Sequence, residues 1–222
     1  MSQDARLLQA GAVFSERCDN LQDLRHRGTF TGVHSIVARG PCGPPALRLG
    51  ATGARWFTTE AVSVFGGAAS FTMMCWFRTD TIISYPLFAE GTGYAGIDMN
   101  MAGLLGAVVG DTVNTFFSAG TTSVNDSVWR HGAMVVNRAT NLLTLYIDGV
   151  AEGTPTDITI LGVVDLSTYL DSLQGPGGTH LDTANWAIFA RALSAAEIFS
   201  LARGTVWTYD RTLVSEWDMS TV

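Results

Sequence analysis

The sequence predicts an all-β protein, a sandwich of two antiparallel sheets or a jelly roll, with one short helix near residues 195–203. Three observations carry that prediction. Short segments rich in Val, Ile, Thr, Phe and Trp recur between clusters of Gly, Asn, Asp and Ser. The segment 71–78, FTMMCWFR, is apolar on both of its alternating faces. Helix-start and helix-stop signals come together late in the chain, after all the strand-like segments.

In chain order, a first strand is expected near 7–14. It sits within a lead-in over 1–44 that is otherwise rich in loop residues, since 15–45 hold Pro41, Pro44, Pro45 and four glycines. Strands are then expected over 71–78, 86–90, 95–101, 104–109, 112–118, 128–137 and 141–147. In the first of these, Phe71, Met73, Cys75 and Phe77 share one face, while Thr72, Met74 and Trp76 share the other. Such a strand belongs in the middle of a layered structure. In LLTLYIDGVAEG, Leu143, Leu145 and Ile147 alternate, and Asp148-Gly149 supplies the two positive-φ positions of a type I′ hairpin turn. Ser194 with Glu197 forms a capping box, and Leu193 with Ile198 a hydrophobic staple. Ala195, Ala196, Ile198, Leu201 and Ala202 favour helix, and Gly204 supplies a stop. Residues 205–222 are read as a C-terminal strand or arm, and 1–222 as a single domain without internal repeat or low-complexity tract.

Composition narrows the function. Hydrophobic residues make up 47% of the 222, enough for a sizeable core. Charged residues are only 15%, all 13 basic residues are Arg, and 20 acids give a net charge of -7. A nucleic-acid-binding surface needs a basic patch, so direct nucleic-acid binding is not expected. No apolar run reaches the ~18 residues of a membrane-spanning helix, so no membrane insertion is expected. Sparse charge without Lys fits either a GC-rich coding sequence or a surface partly covered by partners, since interface cores are poor in Lys, Glu and Asp.

Cys75 lies in an apolar run and reads as a small core residue. Cys18 and Cys42 could bridge in an oxidising compartment, but nothing in their spacing demands it, and no Cys/His cluster has metal-ligand spacing. Met1 to Arg6 contains Asp4, and the apolar stretch from Leu7 is broken by Gln9. No Sec signal is expected, and any export would use another route.

Several segments resemble the laminin G-like, concanavalin A-like lectin/glucanase superfamily. Val128-Trp129-Arg130-His131-Gly132-Ala133-Met134-Val135-Val136 is similar to its W-H-H-V-A strand, and Leu145-Tyr146-Ile147-Asp148-Gly149 to its L-Y-V-D-G. Phe71 to Phe77 is similar to F-T-I-S-A-W-V, and Leu47-Arg48-Leu49-Gly50 to the A-L-x-F-D-G lead-in. His180-Leu181-Asp182 through Ile188-Phe189-Ala190-Arg191-Ala192-Leu193-Ser194-Ala195-Ala196-Glu197-Ile198 looks like the closing element of that family. The sequence departs at Arg130, where His is common, at Thr183, where an acid is common, and at Gly132. The resemblance spans about 45–203 and implies a concanavalin A-like jelly roll of two antiparallel sheets; these motifs build the sandwich and name no function.

Glucanases of this superfamily carry an E-x-D-x-E strand, whose two glutamates flank the scissile bond. This chain has six Glu, at 16, 60, 90, 152, 197 and 216. Its nearest approach, Glu216-Trp217-Asp218, continues with Met219-Ser220 and lacks the second glutamate. Glu197 is accounted for by capping. No nucleophile elbow or Gly-rich phosphate loop occurs, so no catalytic residue is assigned and no enzyme is expected. His131 reads as a satisfied core or sheet-surface histidine, and His26, His34 and His180 have no spaced partners.

Among six tryptophans, Trp76, Trp129 and Trp186 fall on motif strands and read as packing. Trp56, Trp207 and Trp217 lie outside the strongest motifs and are the candidate glycan-stacking residues. Calcium occurs in several lectin-like relatives; here Asp98, Asp111, Asn125 and Asp126 lie in or near expected loops but follow no D-x-D-x-D-G pattern. They read as turn formers, so no metal ligand or other cofactor is assigned, with calcium the one alternative.

The expectation is therefore a non-enzymatic structural or binding protein. The leading setting is a virion surface, as a bacteriophage head-decoration or tail-associated protein made in the host cytoplasm. Its partners would be capsid or tail proteins and further copies of itself, with weak adhesion to cell-surface or environmental glycans. Leu7–Phe14 and Leu213–Trp217 would serve as assembly strands or arms. The alternative is a stand-alone carbohydrate-binding lectin-like module, which gains avidity through multivalency.

Overall fold

The computed structural model describes residues 12–16, 29–37, 46–50, 53–58, 68–80, 82, 84–100, 102–166, 169–174 and 180–203. Fifteen strands and one helix occupy them. Eight strands form one antiparallel sheet. Across it run β13 (Val150–Asp157), β12 (Leu142–Ile147), β11 (Arg130–Asn137), β6 (Phe71–Thr79), β15 (Leu181–Phe189), β4 (Ala46–Leu49) and β3 (His34–Val37). Its remaining strand, β1 (Ala12–Glu16), pairs with residues 186–189 of β15, while β4 takes residues 181–183 of the same strand. The second sheet has seven strands, in the order β10 (Thr115–Ser123), β9 (Leu104–Gly110), β8 (Tyr94–Met99), β7 (Ser84–Glu90), β14 (Tyr169–Gln174), β5 (Arg55–Thr58) and β2 (Thr29–Thr31).

The main core lies between the sheets. Met73, Cys75 and Phe77 of β6 and Met134 and Val136 of β11 meet Leu87, Ile97, Leu105 and Val109 from the opposite sheet. The other face of β6 is buried as well. Met74, with Ala133, Val135, Tyr146, Ala187 and Phe189, lies beneath Leu193, Ile198 and Leu201 of the helix region. The central position expected for FTMMCWFR is therefore met, with sheet on one side and helix on the other. In β15 the alternation survives only through an irregularity between Ala184 and Ala187, where Asn185 adopts φ 54°. The extra residue returns Trp186 and Ile188 to the core and Ala187 and Phe189 to the helix side.

Helix α1 (Ala195–Ala202) starts at Ser194, whose side chain accepts from the Glu197 backbone N–H while Glu197 reaches back to the Ser194 N–H. Arg191 also binds the Glu197 carboxylate, at 2.7 Å. Together these contacts hold the Glu197 carboxyl down at about 2. The Asp148-Gly149 turn between β12 and β13 has φ values of 52° and 87°, as the type I′ reading requires.

The family departures have local causes. Gly132 faces the interior, where an added Cβ would stand 3.1 Å from the Phe77 ring; Phe77 fills the space that a side chain at 132 would take. Thr183 accepts a 2.6 Å hydrogen bond from the indole N–H of buried Trp186, a role that suits a hydroxyl. Arg130 forms ion pairs with Asp126 and Asp148 at 2.7 and 3.1 Å.

Some strand bounds differ from expectation. Within the loop-rich lead-in, β2, β3 and the end of β1 supply short strands in 15–45. The strand expected over 112–118 runs from 115 to 123, because Asp111 caps a turn first, accepting from the backbone N–H groups of Val113 and Asn114 at 2.6 Å each. The strand expected from 128 begins at Arg130. The first strand, expected near 7–14, is described from Ala12 to Glu16. Residues 7–11, 205–222 (with Trp207, Glu216 and Trp217), Cys18, His26 and Cys42 lie outside the described residues.

Candidate functional site

Period-two alternation in the seven-stranded sheet turns one set of residues into the core and the other outward. From β8, Ala95, Ile97 and Met99 go inward, leaving Tyr94, Gly96 and Asp98 on the outer face. From β9, Leu105, Ala107 and Val109 go inward, leaving Gly106, Val108 and Gly110 outward. Leu87 and Ala89 anchor β7 and leave Phe88 outward, and inward Trp56 leaves Arg55 outward on β5.

These outward residues bound a depression of about 410 Å³, lined by Arg55, Tyr85, Phe88, Tyr94, Asp98, Val108 and Asp171. The glycines shape it. A Cβ on Gly96 would lie 2.4 Å from the Phe88 ring, one on Gly110 would lie 2.6 Å from the Tyr94 ring, and one on Gly106 would meet Phe117 at 2.3 Å and Asp98 Oδ1 at 2.8 Å. Phe88 pairs with Gly96, Tyr94 with Gly110 and Asp98 with Gly106 across neighbouring strands. Each ring lies against bare backbone, an arrangement in which an aromatic covers a cross-strand glycine. Phe88 and Tyr94 stack at 6.1 Å with their planes 25° apart, and Tyr85 meets Phe88 edge-on at 5.5 Å. Phe117 extends the apolar surface and is 40% exposed. The Tyr94 hydroxyl is hydrogen-bonded to the Thr115 hydroxyl.

Among the described residues, two carboxylates and one guanidinium line the depression. Asp171, almost fully buried, pairs with Arg55 at 2.7 Å. Asp98 has no ion pair among the described residues, and its Oδ1 is buried without a hydrogen-bond partner. Desolvation raises the Asp98 carboxyl to about 6. Burial, and secondarily the charge of Asp98, pushes the Tyr85 phenol up. The arrangement suits a ligand with an apolar C–H face for the rings and a hydrogen-bond donor for Asp98.

Trp56 does not belong to this surface. It is fully buried and packs against Trp186, with ring centroids 4.7 Å apart. It therefore presents no face for a sugar, because Ala54 and Trp56 point into the sandwich. Asp98 likewise lies in a strand and not in a loop. Asp111, Asn125 and Asp126 do serve local structure. Backbone N–H groups of Asn114, Gly162 and Val113 hold the Asp111 carboxyl well below the usual range, Asn125 Oδ1 is hydrogen-bonded to the Ser123 hydroxyl at 2.7 Å, and Asp126 accepts from the Val128 N–H at 3.0 Å. Among the described residues no three of His, Cys, Asp or Glu converge on a possible metal position.

His131 is not the satisfied histidine expected. It is fully buried beside Trp76, at 5.3 Å in a T-shaped contact, and neither ring nitrogen has a hydrogen-bond partner among the described residues. Burial depresses it to about 4. Trp76 and Trp129 do pack, the first against His131 and the second beneath the Arg78 guanidinium at 5.1 Å. His34 stacks on Phe30, and His180 lies 3.6 Å from Asp80.

The fold recurs in solved structures of toxin binding domains. The binding domain of Paraclostridial Mosquitocidal Protein 1 superposes with a TM-score of 0.70 at 18% identity, covering 89% of this chain and 53% of that one. The binding domain of Botulinum neurotoxin serotype G gives 0.67 at 14%, covering 87% and 51%. A structure of botulinum neurotoxin type C, described as depending on two ganglioside molecules for cell entry, gives 0.64 at 13%, covering 82% and 47%. This chain thus spans about half the length of the structures it resembles. No curated protein matches it in sequence. Residues 51–199 match the profile of the Concanavalin A-like lectin/glucanases superfamily; with well over half its length inside that match, and with the two-sheet sandwich that the motifs imply, this chain belongs to that superfamily.

Proposed function

We propose that this chain is a non-catalytic binding module that holds a glycan in the depression on the outer face of the seven-stranded sheet. The observation that carries the reading is the set of rings laid over Gly96, Gly106 and Gly110 beside the Asp98 carboxylate, which lines the same depression. A pyranose ring presents an apolar C–H face that complements the negative π face of an aromatic, and hydroxyls that donate to a carboxylate. Related folds support attachment as the use of this architecture. One similar toxin is described through its gangliosides, and another was solved with synaptotagmin II; this chain covers 47% of each.

The test is a glycan array followed by titration of any ligand found. Phe88→Ala and Tyr94→Ala should each weaken binding about tenfold or more while leaving the thermal midpoint within a few degrees. Unchanged affinity in both variants would move the site elsewhere, and an array without a hit would remove the reading.

The setting we propose is a phage particle surface, with capsid or tail proteins and further copies of the chain as partners. The sparse, Lys-free charge supports it, because covered surfaces are poor in Lys, Glu and Asp. Co-sedimentation of the native protein with nucleic-acid-containing particles is the expected result. Recovery solely as a slow soluble species would favour the stand-alone lectin-like module.

A further inference from the structure

The floor of the depression also selects among glycans by charge, an inference that rests on the glycan-binding reading. Among the described residues lining the depression the one cation, Arg55, is paired with Asp171 at 2.7 Å, so its charge is balanced inside the site. Among the described lining residues Asp98 is the remaining charged group, and a buried oxygen of its carboxylate has no described hydrogen-bond donor. It reaches over Gly106, where an added Cβ would stand 2.8 Å from Oδ1, and the stacked pair Phe88 and Tyr94 lies on the same face. A ligand resting on those rings therefore lies over the Asp98 carboxylate, a negative charge that no described lining cation offsets.

We infer that the site takes uncharged glycans, which bring a hydroxyl or amide N–H to Asp98, and rejects glycans that carry carboxylate or sulfate groups. Two unit negative charges about 6 Å apart, at an effective dielectric constant of about 40, repel enough to lower affinity about tenfold. Asp98 is thus the specificity-determining residue, and Phe88 and Tyr94 supply affinity without regard to charge.

The experiment is an array of matched neutral and anionic oligosaccharides, such as N-acetyllactosamine against its 3′-sialylated form and chitotetraose against a hyaluronan tetrasaccharide. It uses the full chain and is followed by titration of the best pair. The expected result is a preference of tenfold or more for the neutral member, which Asp98→Asn reduces to about threefold or less. Asp98→Asn keeps the shape of the side chain, and its thermal unfolding curve establishes that it is folded. Anionic members binding as tightly as neutral ones would overturn the charge selection while leaving the glycan reading intact. A preference unchanged in Asp98→Asn would overturn the assignment to Asp98. No binding by any neutral or anionic member would overturn the glycan reading itself.

Discussion

Replacing Asp98 by Asn should make this protein more stable above pH 6 and leave it nearly unchanged below pH 4. The folded-state carboxyl titrates near 6, against an ordinary value of 3.8, because burial disfavours its charged form. Between those values the folded state binds more protons than the unfolded one, so stability falls as pH rises through the window. At pH 8 the accumulated penalty is about 3 kcal/mol, from roughly two pKa units at about 1.4 kcal/mol each. An amide of the same shape carries no such penalty. In a chain of this size the gain corresponds to a rise in midpoint of about 6–12 °C.

His131 works in the opposite sense. It titrates near 4 when folded, against 6.5 ordinarily, so its contribution is present above pH 6.5 and is lost as pH falls towards 4. The two windows overlap, and their slopes largely cancel in the native protein. Asp98→Asn should therefore also expose a decline of about 3 kcal/mol between pH 6.5 and 4. Urea unfolding at pH 4 and pH 8 for both proteins measures each quantity. A variant less stable than the native protein at pH 8, or one whose advantage is equal at both pH values, would refute this account of the Asp98 environment.

Two further outcomes follow from the fold. Asp182, fully buried, receives hydrogen bonds from Arg48 at 2.6 and 2.7 Å and from Arg78 at 2.9 and 2.5 Å; Asp182→Asn should cost about 3 kcal/mol in denaturant unfolding, since it leaves two half-buried guanidiniums without their anion. Gly153→Ala and Gly53→Ala separate backbone strain from collision: φ is +65° and +73°, but a Cβ at 153 would lie 2.2 Å from the Ala119 carbonyl oxygen while one at 53 meets none of the described residues within 4 Å. The first should cost about 3 kcal/mol and the second about 1 kcal/mol in thermal unfolding.

The elements legible in the sequence are those specified by local chemistry. Ser194 with Glu197 sets the start of α1 through bonds that close within four residues, and Asp148-Gly149 sets a turn through φ values available to those two residues. FTMMCWFR declares its central place because both of its faces must be covered, whatever covers them. The proposed binding surface is different in kind. Gly96, Gly106 and Gly110 read as ordinary strand glycines until pairing brings Phe88, Asp98, Phe117 and Tyr94 over them. The alternation of Ala95, Ile97 and Met99 did place Tyr94 and Asp98 on one outward face, a signal available along the chain. Nothing along the chain says that Arg55 and Asp171, 116 positions apart, would meet at 2.7 Å, or that Trp56 would spend its ring on Trp186.

Fold class, the helix cap and the hairpin turn were thus determined by the sequence itself, because periodicity, capping and turn preference act over a few residues. The tertiary structure decided which carboxylate is paired and which is not, and which aromatics line a cavity. Burial and charge pairing are set by neighbours that only strand order and register bring together.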